Sequence, residues 1–301
     1  MNLVFHPIKK FKDYILFIGF HRLILCFITL LFLFSTFGLS QFQSPQFITS
    51  TYKYINKTLN SILQRNQISQ LAKIIVVSHF NENLDWLDLL VDDQISCIVY
   101  TRSSKPLPYQ HKFVINKGRE AVVYLQYIVD HYSNLPLSIA FVHAHRTSWH
   151  QKNPSDIVIA LQALQWNKYN YMPLTSEKTR YEFKPISVDP QVKVNYELWQ
   201  AVLQKELGPP PENGINAHCC ATFVVKREAI LAHPKIFYSN IMNYILASSY
   251  SDQLTGRTLE YTWHMIFGQP AHINYRTCDI FICDSNGMVS VPLDRKKKLN
   301  N

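Results

Sequence analysis

The stretch Leu137-Ser-Ile-Ala-Phe-Val-His-Ala-His-Arg-Thr-Ser-Trp-His150 joins an apolar run to a loop that holds three histidines, an arginine and a tryptophan. The apolar run, 137–142, has the length and composition of a buried strand. α/β folds keep functional side chains where strands open into polar loops, because the rigid strand positions residues that the loop leaves accessible. The sequence therefore predicts a functional site at the end of this strand.

Other segments of the chain alternate strands with helices. Apolar runs predict strands over 73–78 and 95–101, and apolar residues on one helical face predict a helix over 119–132. Another helix is expected over 157–164. This order is typical of α/β proteins, and it predicts a single globular α/β domain over 71–293 with a mostly parallel central sheet.

Five cysteines follow the N-terminal apolar segment, and an odd number leaves at least one of them free or paired between chains. Cys219 and Cys220 are adjacent on an expected strand over 219–225. Neighbouring side chains on a strand point to opposite faces, so a bond between them would strain the backbone. We therefore expect each to be a small buried residue or to pair elsewhere, for example with Cys278 or Cys283.

The N-terminal part of the chain predicts a membrane anchor. The largely apolar segment 14–39 is long enough to span a bilayer and follows a basic cytosolic tail, 1–13. A cleaved signal peptide is the alternative, since Gly38 and Ser40 have small side chains at the spacing of a cleavage site. Residues 40–70 follow as a polar stalk, and helically spaced apolar residues within it make it a candidate for pairing in a homodimer.

Positive charge lies mainly outside the predicted domain. The chain has 30 Lys and Arg against 21 Asp and Glu, but 71–293 carries equal numbers of the two charges, and 294–301 is a basic tail. Nucleic-acid binders carry their basic excess on the domain itself, so we expect no nucleic-acid partner. With the anchor, this organisation predicts a single-pass type II membrane protein with its domain in the lumen of the Golgi or endoplasmic reticulum; a secreted protein is the alternative.

Cations near strand ends predict a site for an anionic donor. Lys117 and Arg119 flank a glycine at the expected start of the helix, where backbone N–H groups and the helix dipole favour an anion. The guanidinium of Arg146 matches a phosphate. Asp85 lies in the loop after the first strand, where it would hold a nucleotide base. The alternatives are a plain helix cap, with Glu120 satisfying the first turn, and an ordinary polar loop around Asp85.

A later helix supplies the expected catalytic base. Glu260 and His264 lie four residues apart and share a helical face, and Arg257 is three residues before Glu260. A carboxylate beside a cation and an imidazole is a candidate general base. We include His143 in the catalytic set and Arg257 and Trp263 in the pocket. A surface ion pair with a nearby core histidine is the alternative.

The three histidines of the loop also have the chemistry of metal ligands. His143 and His145 share a face if the strand continues through them, and together with His150 they would suit zinc or another first-row metal. The alternative is that they fix the loop by hydrogen bonds while Trp149 packs beneath them. We expect His150 and Trp149 to line the pocket. No single cofactor follows, and Mn²⁺ and Zn²⁺ are the candidates.

Four ordered motifs resemble the uncharacterised family called domain of unknown function 3431. They are N-K-G-R-E-A at 116–121, H-x-x-R-x-x-W-H at 143–150, C-C-A-x-F at 219–223 and G-R-x-x-E-Y-x-W-H-x-I-F-G at 256–268. The chain departs from the family over 171–186, where a segment with Gly and Cys is usual. The resemblance implies no activity, but it implies that the histidine loop and the Glu260 helix belong to one ancestral domain.

The architecture is also similar, at the level of fold, to the GT-A glycosyltransferases. There a central strand ends in an acidic metal motif, and a later helix supplies the base. Here His143-Ala144-His145 replaces that motif, and imidazoles are poor ligands for Mg²⁺ or Mn²⁺. The resemblance implies transfer of a sugar from a nucleotide sugar to a glycan or glycoconjugate. The alternatives are a histidine-metal hydrolase and a non-catalytic carbohydrate-binding domain in which Trp149 and Trp263 stack on sugars.

Overall fold

The structure is a computed structural model that describes residues 72–90 and 95–292. The predicted cytosolic tail, anchor and stalk (1–70) and the basic tail (294–301) lie outside the described residues. Within the described part, no helix is both long and apolar enough to cross a membrane.

The described residues form eight strands, which are β1 (Lys73–His79), β2 (Ser96–Thr101), β3 (His111–Phe113), β4 (Ser138–His143), β5 (Tyr171–Pro173), β6 (Lys178–Tyr181), β7 (Ile215–His218) and β8 (Phe223–Lys226). Six of them form one sheet in the order β3-β2-β1-β4-β8-β5. Strands β1 to β4 run parallel, whereas β8 is antiparallel to its neighbours β4 and β5. The strands β6 and β7 form a separate antiparallel pair. The predicted α/β fold with a mostly parallel central sheet is confirmed.

The α-helices of the described part are α1 (Arg119–His131), α2 (Ile157–Ala163), α3 (Pro190–Leu198), α4 (Gln204–Leu207), α5 (Arg227–Leu231), α6 (Lys235–Ala247), α7 (Asp252–Ile266) and α8 (Thr277–Ile280). A π-helical segment, Trp199–Leu203, joins α3 to α4. A 3₁₀ helix, Asp85–Leu90, follows β1.

Helices cover both faces of the central sheet, as the alternation along β1 shows. Ile74 and Val76 belong to the core that includes α1, α6 and α7, whereas Ile75 and Val77 belong to the core that includes α2 and the 3₁₀ helix. Side chains alternate across a strand, so a strand buried on both faces reads as a continuous apolar run. This explains why β1 and β4 were predictable from composition alone.

The strand order creates a switch point between β1 and β4. The chain passes from β1 to β2 on one side, and it later returns to place β4 on the other side of β1. The loops that follow these two strands therefore diverge and leave a crevice at their carboxyl ends. Because β8 runs in the opposite direction, the turn before β8 reaches the same edge of the sheet.

That turn corrects the prediction for the paired cysteines. Cys219 is bonded to Cys220, and Cys278 is bonded to Cys283. The expected strand begins only after the turn, and Cys220 has a φ of +77°. The alternation that argued against a bond between adjacent strand residues therefore does not apply. Among the described cysteines, Cys97 is free.

Two glycines allow close packing at the start of α1, Gly118 against α6 and Gly256 of α7 against α1 itself. Gly118 precedes α1 with a φ of +66°, and a Cβ there would overlap the side chain of Ile245. A Cβ on Gly256 of α7 would stand 3.1 Å from the carbonyl oxygen of Gly118. That distance is shorter than ordinary van der Waals contact, so the two backbones approach to a separation that larger residues would prevent.

We expect Gly118→Ala to lower the free energy of unfolding by about 2–5 kcal/mol, because left-handed strain and overpacking add. Gly268→Ala is the matched control, since Gly268 has a φ of +76° but a Cβ there would have no heavy atom within 4 Å. The control should lose only the strain, about 1–2 kcal/mol. Urea unfolding of both variants measures the difference, and equal losses would contradict the packing account.

Candidate functional site

A cavity of about 330 Å³ lies at the carboxyl ends of β1 and β4, where the strand order reverses. The described residues that line it are Glu82, Arg102, Arg119, Glu120, His143, His145, Trp149, His150, Cys220, Arg257 and Glu260. This is the place where open α/β sheets hold their ligands. The lining is rich in charged and imidazole side chains, so it suits a polar ligand.

Each part of the cavity wall comes from a different element. Glu82 follows β1, Arg102 follows β2, and His143 ends β4. These strands are neighbours in the sheet, and their carboxyl ends meet at one edge. The first turn of α1 and the middle of α7 supply the remaining charged residues, and the close approach at Gly118 and Gly256 brings these two helices together.

Three guanidinium groups face the cavity, those of Arg102, Arg119 and Arg257. Arg119 is the first residue of α1, a helix of 13 residues whose start has no side-chain cap among the described residues. The guanidinium of Arg102 stacks on the ring of Phe80 at 5.5 Å, and its Nε has no hydrogen-bond partner in the described part of the chain. Guanidinium groups and a helix N-terminus both favour phosphate or carboxylate ligands.

Two carboxyl groups, Glu120 and Glu260, face the same cavity. Glu120 is only 4% exposed, and its Oε1 lacks a hydrogen-bond partner among the described residues. Burial and the neighbouring charge of Glu120 raise the pKa of Glu260 to about 8, while Arg257 and Arg119 act in the opposite direction. Glu260 therefore keeps its proton at neutral pH.

The three histidines of the loop lie together along the cavity. The ring centroids of His145 and His150 each lie 6.1 Å from that of His143. Nε2 of His143 donates a hydrogen bond of 2.8 Å to the carbonyl oxygen of Cys220. Burial, followed by the charges of His143 and His145, lowers the pKa of His150 to about 4. His150 is therefore neutral at physiological pH.

The structure brings the three predicted metal ligands together without arranging them as a metal site. Within the described ranges, no group of three or more His, Cys, Asp and Glu side chains is placed to hold a metal ion. The hydrogen bond from Nε2 of His143 to Cys220 also occupies one of the two nitrogens that would coordinate a metal. The hydrogen bond of His143 agrees with the alternative in which the histidines fix the loop, but Trp149 is exposed and is not packed beneath them as that alternative expected.

Three predicted donor-binding residues have other partners and lie outside the cavity lining. Lys117 forms an ion pair of 3.3 Å with Asp252 at the start of α7. Nε of Arg146 donates to the carboxylate of Asp156 at 2.8 Å, and Asp156 caps α2. Asp85 is exposed in the first turn of the 3₁₀ helix. Of the predicted donor-binding set, only Arg119 lines the cavity.

Two predicted site residues of α7 belong to the core instead. Trp263 is 1% exposed and packs against Tyr124 and Phe223. His264 is also 1% exposed, and burial lowers its pKa to about 4. Neither side chain lines the cavity. Trp149, in contrast, is 74% exposed at the cavity, so of the two predicted tryptophans it is the one that is accessible there.

Some cavity residues were not predicted from the sequence. Arg102 and Glu82 were missed although each lies just beyond the end of a predicted strand, and that position was the available signal. Glu120 was predicted only as a helix-cap residue, whereas its carboxyl lines the cavity. Burial raises the pKa of Glu82, but hydrogen bonds from backbone N–H groups, including that of Phe80, contribute to a pKa that is lowered overall. Glu82 is therefore ionised. Cys220 reached the cavity through a turn that the sequence did not reveal.

The chain belongs to the family DUF3431, described as a protein of unknown function, which it matches over residues 74–283. Neither a curated protein nor a solved structure matches the chain. All residues that line the cavity fall within the matched range, so the cavity is part of the family's own domain.

The raised pKa of Glu260 makes a prediction for stability. The folded state binds this proton more tightly than the unfolded state, so the free energy of unfolding falls as pH rises towards 8. The buried neutral histidines, His150 and His264, have the opposite effect, but only below about pH 6.5. Between pH 6.5 and 8, urea unfolding of the wild type should therefore show declining stability, and Glu260→Gln should flatten the decline.

The surface carboxylate Glu228, whose side chain is 62% exposed, supplies the control for this experiment. Glu228→Gln should keep the wild-type pH dependence, because this side chain is exposed to water and lies outside the cavity lining. An unchanged slope in Glu260→Gln would show that Glu260 is already ionised in the folded protein and would contradict the account of the site.

Proposed function

We propose that this domain transfers a sugar from a nucleoside diphosphate donor to a hydroxyl group of a glycan or glycoconjugate, as expected of a GT-A-like glycosyltransferase. The observation that carries the proposal is the convergence of Arg102, Arg119 and Arg257 on one cavity at the switch point of the sheet. A guanidinium group can donate two parallel hydrogen bonds to the oxygens of one phosphate. Nucleotides bind to α/β sheets where the strand order reverses.

In the proposed reaction, the three arginines hold the diphosphate and stabilise the charge that it gains. The bond between the anomeric carbon and the diphosphate oxygen breaks, and its electron pair leaves with the diphosphate. The acceptor hydroxyl forms the new bond to the anomeric carbon, and its proton passes to a carboxylate of the cavity, for which Glu260 is the predicted base. The arginines thus supply the positive charge that an acidic metal motif would otherwise recruit.

Aromatic and imidazole groups shape the rest of the proposed pocket. The exposed ring of Trp149 stands edge-on to His150, with their centroids 5.3 Å apart. An exposed indole face suits the apolar side of a sugar ring, and the neutral imidazole of His150 offers hydrogen bonds to hydroxyl groups. His143, anchored on Cys220, would fix the loop that presents both residues.

The proposal includes a place in the secretory pathway. Two disulfides, Cys219–Cys220 and Cys278–Cys283, support an oxidising compartment. The predicted anchor at 14–39 would hold the domain on the lumenal side of the Golgi or endoplasmic reticulum membrane. Acceptors of a lumenal transferase would be glycans or glycoconjugates on the same side of that membrane.

A carbohydrate-binding domain is the second candidate function, and the exposure of Trp149 favours it. The two candidates differ in what they require of the ligand. A binding domain would bind free glycans without a nucleotide, whereas the transferase needs the diphosphate to engage the arginines. The candidate hydrolase that uses His143, His145 and His150 has weaker support, because these side chains do not form a metal-binding group in the described structure.

Calorimetric titration of the full-length chain with a panel of nucleoside diphosphate sugars tests the proposal. At least one donor should bind, and Arg119→Gln and Arg257→Gln should each weaken it tenfold or more, since each removes a charge-assisted contact worth about 1.5–3 kcal/mol. Arg146→Gln is the control, because Arg146 pairs with Asp156 outside the cavity lining. Failure of every donor to bind, or an equal loss in the control, would overturn the proposal.

A further inference from the structure

On the basis of the proposed diphosphate site, we propose that Glu120 and Glu260 act as one unit that keeps a single proton, and that this retained proton makes the cavity positive enough to bind the anion. Anion binding and protonation of the pair are then linked. Glu120, which the sequence indicates only as a helix-cap residue, becomes part of the binding and catalytic machinery.

The geometry that supports the pair begins with the helix contact. Glu120 lies in the first turn of α1, two residues after Gly118, and Glu260 lies one turn after Gly256 in α7. The contact between the two glycines therefore brings both carboxyl groups to one cavity. Residues at i and i+4 share a face of a helix, so Glu260 points to the side of α7 that meets α1.

Burial makes it unfavourable for the two carboxyl groups to carry charge at the same time. Glu120 is 4% exposed, and its Oε1 has no hydrogen-bond donor among the described residues. A buried carboxylate oxygen without a donor costs free energy, and a second carboxylate beside it adds repulsion. One proton retained by the pair removes the repulsion and supplies a donor, as in other carboxyl pairs that share a proton.

The arginines and tyrosines around the pair do not offset its raised affinity for a proton. Arg119 and Arg257 lower the proton affinity of Glu260, but burial and Glu120 outweigh them. The tyrosines that interact electrostatically with Glu260 are neutral near pH 8, since each has a raised pKa; they are Tyr124, Tyr181 and Tyr261. Arg102 and Glu260 both act on the pKa of Tyr124, which Arg102 lowers and Glu260 raises.

The retained proton decides the net charge of the cavity. With the pair fully ionised, Glu82, Glu120 and Glu260 would cancel the three guanidinium groups of the lining. With one proton on the pair, the lining is positive, and an anionic ligand is attracted. By linkage, a ligand that prefers the protonated pair must also raise the affinity of the pair for its proton.

The pair also accounts for the base in the proposed reaction. Glu260 alone would be protonated at neutral pH, but a pair with one proton still carries one carboxylate. That carboxylate accepts the proton of the acceptor hydroxyl as the new bond to the anomeric carbon forms, so the pair ends with two protons. The electron pair of the broken bond leaves on the diphosphate, and release of one proton to water restores the pair.

Titration of the full-length chain with inorganic sulfate tests the link, because sulfate keeps two negative charges throughout the pH range used. The wild type should bind sulfate roughly tenfold more weakly at pH 9 than at pH 7, because ionisation of the pair adds a negative charge beside the anion. Glu260→Gln should bind sulfate equally at the two pH values, because it lacks the carboxyl that titrates near pH 8. In Glu120→Gln the loss of affinity should move to lower pH, because the charge of Glu120 no longer raises the pKa of Glu260. Glu82→Gln is the control and should keep the wild-type pH dependence.

A ¹³C NMR titration of glutamate-labelled protein measures the proton of the pair without any ligand. A side-chain carboxyl should titrate near pH 8 in the wild type, be absent in Glu260→Gln and titrate at a lower pH in Glu120→Gln, where the neighbouring charge is removed. Sulfate binding without pH dependence, or carboxyl signals that titrate only below pH 6, would overturn the inference. If sulfate does not bind at all, the anion site and with it the proposed function are overturned, while the NMR titration still decides whether the pair keeps its proton.

Discussion

The close approach of α7 to the start of α1 is the constraint on which the cavity depends. Helices usually pack with axes about 8–10 Å apart, and side chains at the contact set that distance. At Gly118 and Gly256 no side chain intervenes, so backbone meets backbone. The charged residues near the two glycines then converge from opposite helices. A bulkier residue at Gly256 would separate α1 from α7 and pull the arginine and glutamate side chains apart.

The electrostatics of the site follow from that packing. Carboxyl groups held together away from water repel each other, and the guanidinium groups beside them offset only part of the cost. The structure maintains this unfavourable grouping because the rest of the domain positions it, with both faces of the central sheet buried beneath helices. Clusters of titratable groups with shifted pKa values occur at functional sites, where an arrangement that lowers stability can serve binding or catalysis.

The helices and strands that could be predicted from the sequence are those with an unbroken apolar run or an apolar helical face. The bounds predicted for β1, β2 and α1 agree with the structure to within a residue or two at each end, because apolar runs and faces signal them directly. The strands β3 and β5, of three residues each, depend on pairing partners and leave no such signal. The turn at Cys219 and Cys220 was wrongly assigned to a strand, since its left-handed conformation cannot be read from its apolar neighbours.

The sequence predicted where the candidate site lies, but only some of the residues that line it. The histidine loop at the end of β4 and the Glu260 helix both reach the cavity. Arg102 was missed because its role depends on elements distant in the chain. The most direct test of the proposed diphosphate site is a crystal structure of the protein with uridine or guanosine diphosphate. We expect both phosphates to lie within hydrogen-bonding distance of Arg102, Arg119 and Arg257, whereas phosphates bound elsewhere, with these arginines facing an empty cavity, would contradict the assignment.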